Sequence, residues 1–522
     1  MADAKSESAG KLIRGLGLLD ATMIVIGSMI GSGIFIVSAR SSVLTGSPGW
    51  MLAAWALAGV LTITGALCCA ELAAMMPRAG GQYVFLREAY GPATGFLFGW
   101  SLLFVIQTGT IAAVAVAFAD FLNVLAPGVS ATNYLIAPVH LGSYAISLST
   151  QQLVAILLIL LLTFTNTRGL KTGKLIQNTF TFTKTAALLG LILVGLALGW
   201  NKGSAAYTSS WWDPWMNGWN PSAAEAGMAT TSGFWLLMLL GLAMVGPLFA
   251  QSAWNNVTFT GSEIRDPGRN LPRALLIGCG AVVLLYLLAN LAYVGTLPLG
   301  RPKDPGVPGD TGVPGLQNPK HKVATDTMYA IFGQPGMIVM AVAIMISTFG
   351  CNNGLILAGA RIYYAMARDR LFFARIGTVN KRHVPAIALI TQGIWASLLI
   401  LPRTVTIEKT GAPTYGNVYD QLLKYIISAD LVFYALMVGA VIILRRKAPN
   451  VERPYRTFGY PVVPAIYIAL ALLLVLDLAY LTPTTSGVGY LLVLTGLPVY
   501  FIWRRSAAPR PAFETATPEM KG

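Results

Sequence analysis

Glycine and serine crowd one point of an otherwise apolar run: Gly27-Ser28-Met29-Ile30-Gly31-Ser32-Gly33-Ile34-Phe35, within a stretch from about Leu18 to Leu44. A run of that length can span a bilayer. Glycine loses the most backbone entropy on ordering and is poor helix material. Non-helical backbone at membrane depth persists only where it is buried in protein or lines a cavity. The run therefore reads as two half-helices joined by an unwound segment. Its chemistry is recognition rather than bond-making. Amide N–H groups at the start of the second half, at the positive end of its dipole, suit a carboxylate, and the free carbonyls ending the first half suit an ammonium. Gly27-x-x-x-Gly31 also fits close helix packing, and this stretch alone leaves both readings open.

A second interruption is Gly246-Pro247-Leu248-Phe249-Ala250-Gln251-Ser252-Ala253-Trp254-Asn255. Proline removes a helix hydrogen bond, and the small polar run after Phe249 invites unwinding, although a simple proline kink would use the same letters. Charges inside apolar runs are costly and are functional candidates by default. Lys184 is the sharpest, against the plainer reading that it snorkels to the membrane edge. Glu71 is expected to pair with a basic group such as Arg361 or Arg78 rather than to carry protons. Asp120, Lys424 and Asp477 fall near the ends of their runs, and Asp430 lies deeper, where a structural hydrogen bond is the expected role.

The elements that must position these groups are membrane helices. The chain is 55% hydrophobic and 11% charged, with a mean hydropathy of +0.64, which excludes a soluble globular class. The four cysteines (Cys68, Cys69, Cys279, Cys351) lie in apolar runs with no metal or disulfide spacing, and His140, His321 and His383 lie in or beside loops. No metal, haem or other cofactor is expected, and no catalytic constellation appears. A channel would want a continuous polar lining, which the apolar runs lack.

Twelve spans are expected, at about 18–45, 50–76, 93–120, 149–166, 176–200, 232–262, 272–297, 329–366, 385–402, 421–445, 460–481 and 487–504. With the N-terminus inside, the inner segments collect 25 of the 36 basic residues, among them Arg87, Arg168, Arg265, Arg273, Arg368, Arg445, Arg446 and Arg453. About eight fall outside, including Arg40, Lys202 and Arg403. The positive-inside rule then puts both termini in the cytoplasm and explains the net charge of +15 without a nucleic-acid partner. Paired interruptions at corresponding places in two halves point to a secondary transporter's site. The chain thus divides into a cytoplasmic tail (1–17), a first repeat (18–200), an extracytoplasmic loop (201–231) carrying Trp211, Trp212, Trp215 and Trp219, a second inverted repeat (232–447), two appended spans (460–504) and a tail (505–522). Residues 77–91 are expected to form a short helical lid, or a plain surface linker.

Several stretches together resemble the amino acid–polyamine–organocation superfamily, within it the L-type amino-acid transporters and their bacterial relatives. They are Gly31-Ser32-Gly33-Ile34-Phe35; Ala70-Glu71-Leu72 with Pro77-Arg78-Ala79-Gly80-Gly81-Gln82-Tyr83; Phe180-Thr181-Phe182-Thr183-Lys184; Glu263-Ile264-Arg265-Asp266-Pro267-Gly268-Arg269-Asn270-Leu271-Pro272; and Arg445-Arg446-Lys447 with Glu452-Arg453-Pro454-Tyr455. The resemblance implies an all-α polytopic protein of the LeuT-type fold, five spans plus five inverted, with discontinuous first and sixth helices, moving amino acids by alternating access.

Carried over residue by residue, it implies that Ser32 and Gly33 meet the substrate carboxylate. The carbonyls of Met29, Phe249 and Ala250, with Ser252, would meet its ammonium. Phe249 would gate, and Trp254 and Asn255 would follow it as in the family. Ser252-Ala253 stands where the family often has two glycines. Lys184 is expected where sodium-coupled relatives hold a cation, near Gly27 and opposite Ser347 and Thr348; a fixed charge there argues for sodium-independent exchange or facilitation. Proton-coupled symport is the alternative. A cationic amino-acid or polyamine carrier is disfavoured, because no acid falls in the inferred pocket. Family members that join a heavy chain do so through a cysteine between spans three and four; residues 121–148 have none, so a stand-alone protein of a bacterial inner membrane is expected.

Overall fold

A computed structural model describes residues 15–77, 80–168, 173–217, 233–300, 315–316, 322–380, 384–407 and 413–504. Residues 1–14 and 505–522, Arg78, Trp219, His321, Lys381, Arg382, His383 and most of the 299–322 loop lie outside the described residues.

The first apolar run is two helices, α1 (Leu18–Met29) and α2 (Gly33–Thr45), bent by 43° across Ile30–Ser32. Helix α2 ends on Gly46 at φ +67°, a left-handed turn suited to glycine. Ser47, accepting from the Trp50 amide, and Pro48 in the first turn start α3 (Pro48–Met75). The lid segment is a helix, α4 (Gln82–Tyr90). Next, α5 (Pro92–Leu125) contains a π-helical turn over Leu102–Ile106, where Trp395 Nε1 donates to the Phe104 carbonyl at 2.9 Å.

Strands β1 (Tyr134–Leu141) and β2 (Tyr144–Ser149) precede α6 (Thr150–Thr167), α7 (Gly173–Leu198), α8 (Gly233–Ala243), α9 (Val245–Ala250) and the short α10 (Asn256–Phe259). After them come α11 (Pro267–Thr296), α12 (Val323–Arg368), broken at Gly333, and α13 (Ala386–Leu398). The chain continues through β3 (Pro402–Ile407), β4 (Pro413–Tyr415), α14 (Val418–Lys447), α15 (Val462–Leu481), α16 (Pro483–Leu494) and α17 (Gly496–Arg504).

Among the described residues, ten helical segments are long and apolar enough to cross a membrane, eleven with the bent α1–α2 pair; α13 is apolar but shorter. The chain is a multi-pass membrane protein with a helical core. Helix α3 packs along α11, α5 along α12, α6 along α13, and α2 against α9.

The helical expectation holds with one addition. A four-stranded antiparallel sheet in the order β1-β2-β3-β4 joins two loops far apart in sequence, Tyr144 pairing with Thr404 and Ala145 with Arg403. Gln421 Oε1 accepts from the Thr404 amide at 2.8 Å and ties the sheet to α14. On that same face Trp50 packs edge-on to Trp212, and its Nε1 donates to the Trp212 carbonyl at 2.8 Å.

The opposite, basic face is closed by ion pairs. Glu71 has a different partner from those expected: Arg445 Nε and Nη2 donate to its two oxygens at 2.9 and 2.7 Å, the Thr457 amide donates at 2.7 Å, and Arg453 approaches to 3.5 Å. Arg361 instead meets Glu263 at 3.2 Å. Arg445 is C-terminal on a helix hundreds of residues away, so only the folded packing of α14 beside α3 reveals the match. The carboxylate is almost fully buried and holds α3, α14 and the segment before α15 together. Removing one partner of such a pair costs about 3 kcal/mol. Glu71→Gln should therefore lower the unfolding temperature of the purified protein by several degrees in a thermal melt, and an unchanged melting point would contradict this role.

Candidate functional site

Interrupting a helix at membrane depth leaves the last carbonyls of α1 without amide partners. Four side chains from other helices take them. Lys184 Nζ, on α7, donates to the Gly27 carbonyl. Cys351 Sγ, on α12, points at the Ser28 carbonyl at 3.8 Å, and Ser347 Oγ reaches the Gly31 carbonyl at 3.4 Å. Tyr286 OH, on α11, donates to the Met29 carbonyl at 2.9 Å. Lys184 is buried, so its amine stays inside the bundle rather than snorkelling. The helices that surround the break thus hold its shape directly.

Across the break, the start of α2 faces the end of α9. A Cβ built on Gly33 would lie 2.5 Å from Ala250 Cβ, and one on Gly246 would lie 2.6 Å from Val37 Cβ. Only glycine allows this approach. Phe249 stacks edge-on against Tyr419 with ring centres 6.0 Å apart, and the Tyr419 hydroxyl shares a 3.0 Å hydrogen bond with Ser32 Oγ. Ser252 Oγ donates to the Phe249 carbonyl at 2.8 Å. Ala253 has φ +64°, a left-handed geometry that costs a residue with a side chain about 1 kcal/mol or more. That geometry gives a physical reason for the glycine the resemblance implies at this point.

The residues read from the sequence therefore divide. Met29, Ser32, Gly33, Phe249, Ala250 and Ser252 meet around the two breaks. Gly27, Lys184 and Ser347 meet on the far side of α1, while the Thr348 hydroxyl turns back onto its own helix at the Ile344 carbonyl, 2.8 Å away. Asn255 sits apart from the break: its Nδ2 donates to Gln82 Oε1 at 2.7 Å, its Oδ1 accepts from Tyr434 at 3.4 Å, and Gln82 Nε2 donates to the Phe433 carbonyl at 3.2 Å. In this state Asn255 helps close the basic face beneath the lid α4. Toward the sheet face, a cleft of about 380 Å³ remains between α2, α9 and α14, with Arg40, Asp420 and Lys424 on its walls.

Sequence reasoning missed Tyr419, Tyr286, Tyr293 and Cys351. A signal existed for part of this. Tyr286, Asn290 and Tyr293 lie at helical spacing on one face of α11. There Tyr293 OH donates to the Ile34 carbonyl at 3.1 Å, and Asn290 Oδ1 accepts from Ser38 at 2.6 Å.

Facing half-helix ends inside a helical membrane bundle, with an aromatic pair and a buried basic group beside the break, are the arrangement of a membrane carrier. Comparison with known sequences agrees: residues 16–502 match the amino acid permease family, and the chain belongs to it. It is an amino-acid transporter rather than an enzyme. It is 29% identical over 508 residues to the mouse large neutral amino acids transporter small subunit 2, covering 96% of this chain and 83% of that one. To the mouse b(0,+)-type amino acid transporter 1 it is 27% identical over 494 residues, covering 94% and 87%. The human Asc-type amino acid transporter 1 is 27% identical over 502 residues, covering 94% and 82%.

Two substitutions test the geometry. Gly33→Ala forces its new Cβ into Ala250, an overpacking of about 1–3 kcal/mol; amino-acid uptake into proteoliposomes should fall about tenfold, and unchanged uptake would show that the two ends need not approach. Lys184→Met leaves the Gly27 carbonyl buried and unpaired, which should cost about 2 kcal/mol of stability in chemical or thermal unfolding. An equally stable variant would mean that water or a neighbour replaces the ammonium freely.

Proposed function

We propose that the chain is a sodium-independent exchanger or facilitator of neutral or broad α-amino acids, working by alternating access. The observation that carries the reading is the pairing of Lys184 with the Gly27 carbonyl: a basic side chain in that position would stand in for a coupling cation beside the broken first helix. The substrate carboxylate would meet the amides at Ser32 and Gly33, and its ammonium the carbonyls at Phe249 and Ala250, with Met29 and Ser252 alongside and Asn255 beneath. Phe249, held edge-on by Tyr419, would close over the substrate from the sheet side. Lys184, Gly27, Ser347 and Thr348 would form the coupling region.

The packing of α2 on α9, α3 on α11, α5 on α12 and α6 on α13 supports inverted repeats over 18–200 and 232–447. In that reading α13 is the ninth of twelve spans and 460–504 supplies the last two. The segregation of basic residues to one face supports cytoplasmic termini and a sheet on the outside. A bacterial inner membrane is the proposed location. One relative is named as a small subunit; the four cysteines of this chain are all buried, which supports transport without a disulfide-linked heavy chain. Neutral substrates accord with the name of the large neutral amino acids transporter.

The test is uptake of labelled leucine and alanine into proteoliposomes, with and without internal amino acid, crossed with sodium and proton gradients. Uptake that needs internal substrate and ignores both gradients is the expected result for exchange. Sodium-driven uptake into empty vesicles would overturn the role given to Lys184, and proton-driven uptake would establish symport instead.

A further inference from the structure

The pocket inferred from sequence contains no acid, and a cationic substrate is disfavoured on that ground. The fold changes this. Between α3, the unwound segment after α9, α14 and α15 lies a cavity of about 300 Å³ with room near its centre for a group the size of a water molecule. Its walls include Asp430, Gln251, Ser252, Thr62, Trp254 and Tyr434. Asp430 is 4% exposed, and Gln251 is fully buried.

The polar groups in this wall are acceptors in excess. Gln251 Nε2 is used on the Trp55 carbonyl at 3.2 Å, while its Oε1 is buried with no donor. Ser252 spends its proton on the Phe249 carbonyl. Asp430 has the Tyr434 side chain as a hydrogen-bond partner, Tyr467 stands nearby with Cys69 and Cys68 behind, and among the described residues no lysine or arginine faces it. The Gln251 carbonyl lacks a donor, and the Asp430 carboxyl, with one tyrosine as partner, has acceptor positions left; a donor or a cation entering the cavity would complete both. The rest of the wall is aromatic: Trp254 stacks on Tyr434 with ring centres 5.1 Å apart, and Tyr467 closes the far side. A carboxylate set among aromatic faces is the composition that receives an organic ammonium.

Position connects this cavity to transport. Leu248, Gln251 and Ser252 line it, and they belong to the segment whose Phe249 and Ala250 carbonyls are placed for the substrate's own ammonium. The same segment borders both places, so a long side chain of a substrate held there would meet Asp430 by passing Ser252. We propose that this cavity is a side-chain subsite for amino acids ending in a primary ammonium, and that Asp430 is the residue that selects them. The proposal rests on the transporter reading given above and specifies its substrate range.

Lysine and norleucine differ only by the terminal ammonium, so their ratio isolates the subsite. In proteoliposomes holding the full chain, each would compete with uptake of labelled leucine by the unaltered protein and by Asp430→Asn and Asp430→Glu. The expected result is that lysine competes at least as well as norleucine in the unaltered protein. The lysine-to-norleucine ratio should fall tenfold or more in Asp430→Asn and recover most of the way in Asp430→Glu. Thermal melting of the unaltered protein gives a second readout that needs no variant: lysine should raise the melting temperature more than norleucine does. A ratio unmoved by Asp430→Asn, or competition and stabilisation by norleucine alone, overturns the subsite and leaves the transporter reading standing. Stabilisation by sodium or potassium chloride in place of lysine would also overturn it, by making the cavity an inorganic cation site. If neither amino acid binds or moves, both readings fall together.

Discussion

A peptide carbonyl inside a bilayer has no water to turn to, and this constraint organises the molecule. Recognition of a zwitterion needs exposed helix ends; exposed helix ends in lipid need partners. The first broken helix meets both demands by handing its orphan carbonyls to α7, α11 and α12. Lys184, Tyr286, Ser347 and Cys351 therefore join three helices to the first broken helix. A lysine is an unusual choice, since it brings a charge into the interior. Its use at Gly27 supplies a strong donor and a basic group beside the site.

Motion follows from how the breaks are packed. Gly33 against Ala250, and Gly246 against Val37, bring two backbones together without interlocking side chains, so the pair can shift as a unit. On the basic face the contacts are of another kind: Tyr83 and Arg87 on α4 meet Asp369, Tyr90 OH donates to the Leu436 carbonyl at 2.8 Å, and Gln82 bridges Asn255 and the Phe433 carbonyl. These polar contacts can be exchanged for water, whereas the apolar contacts of the core cannot. The basic face is thus closed by polar contacts, and a cleft remains toward the sheet.

Much of this architecture is legible in the order of the amino acids. Glycine and serine at 27–33 and the proline at 247 mark the breaks because they violate helix propensity where the apolar run demands a helix. Lys184 stands out because a membrane span tolerates no idle charge. The rest depends on distant pairing. Arg445 and Glu71, Tyr419 and Ser32, and Gln251 and Asp430 are brought together by packing between segments far apart along the chain, and no local pattern records that. The sheet is hidden for a related reason: β2 and β3 belong to loops more than two hundred residues apart, and each is a strand of only six residues. Asp430 is visible as a buried acid; its proximity to the second break is not.

Lys184 is central to this account, because it joins the architecture of the break to the ion independence proposed for transport. The most direct measurement is binding of labelled leucine to the purified protein in sodium-free choline buffer and in sodium buffer, for the unaltered chain and for Lys184→Ala. Equal affinity in the two buffers for the unaltered protein, with weakened binding in the variant, is the predicted result. A requirement for sodium in the unaltered protein would contradict it.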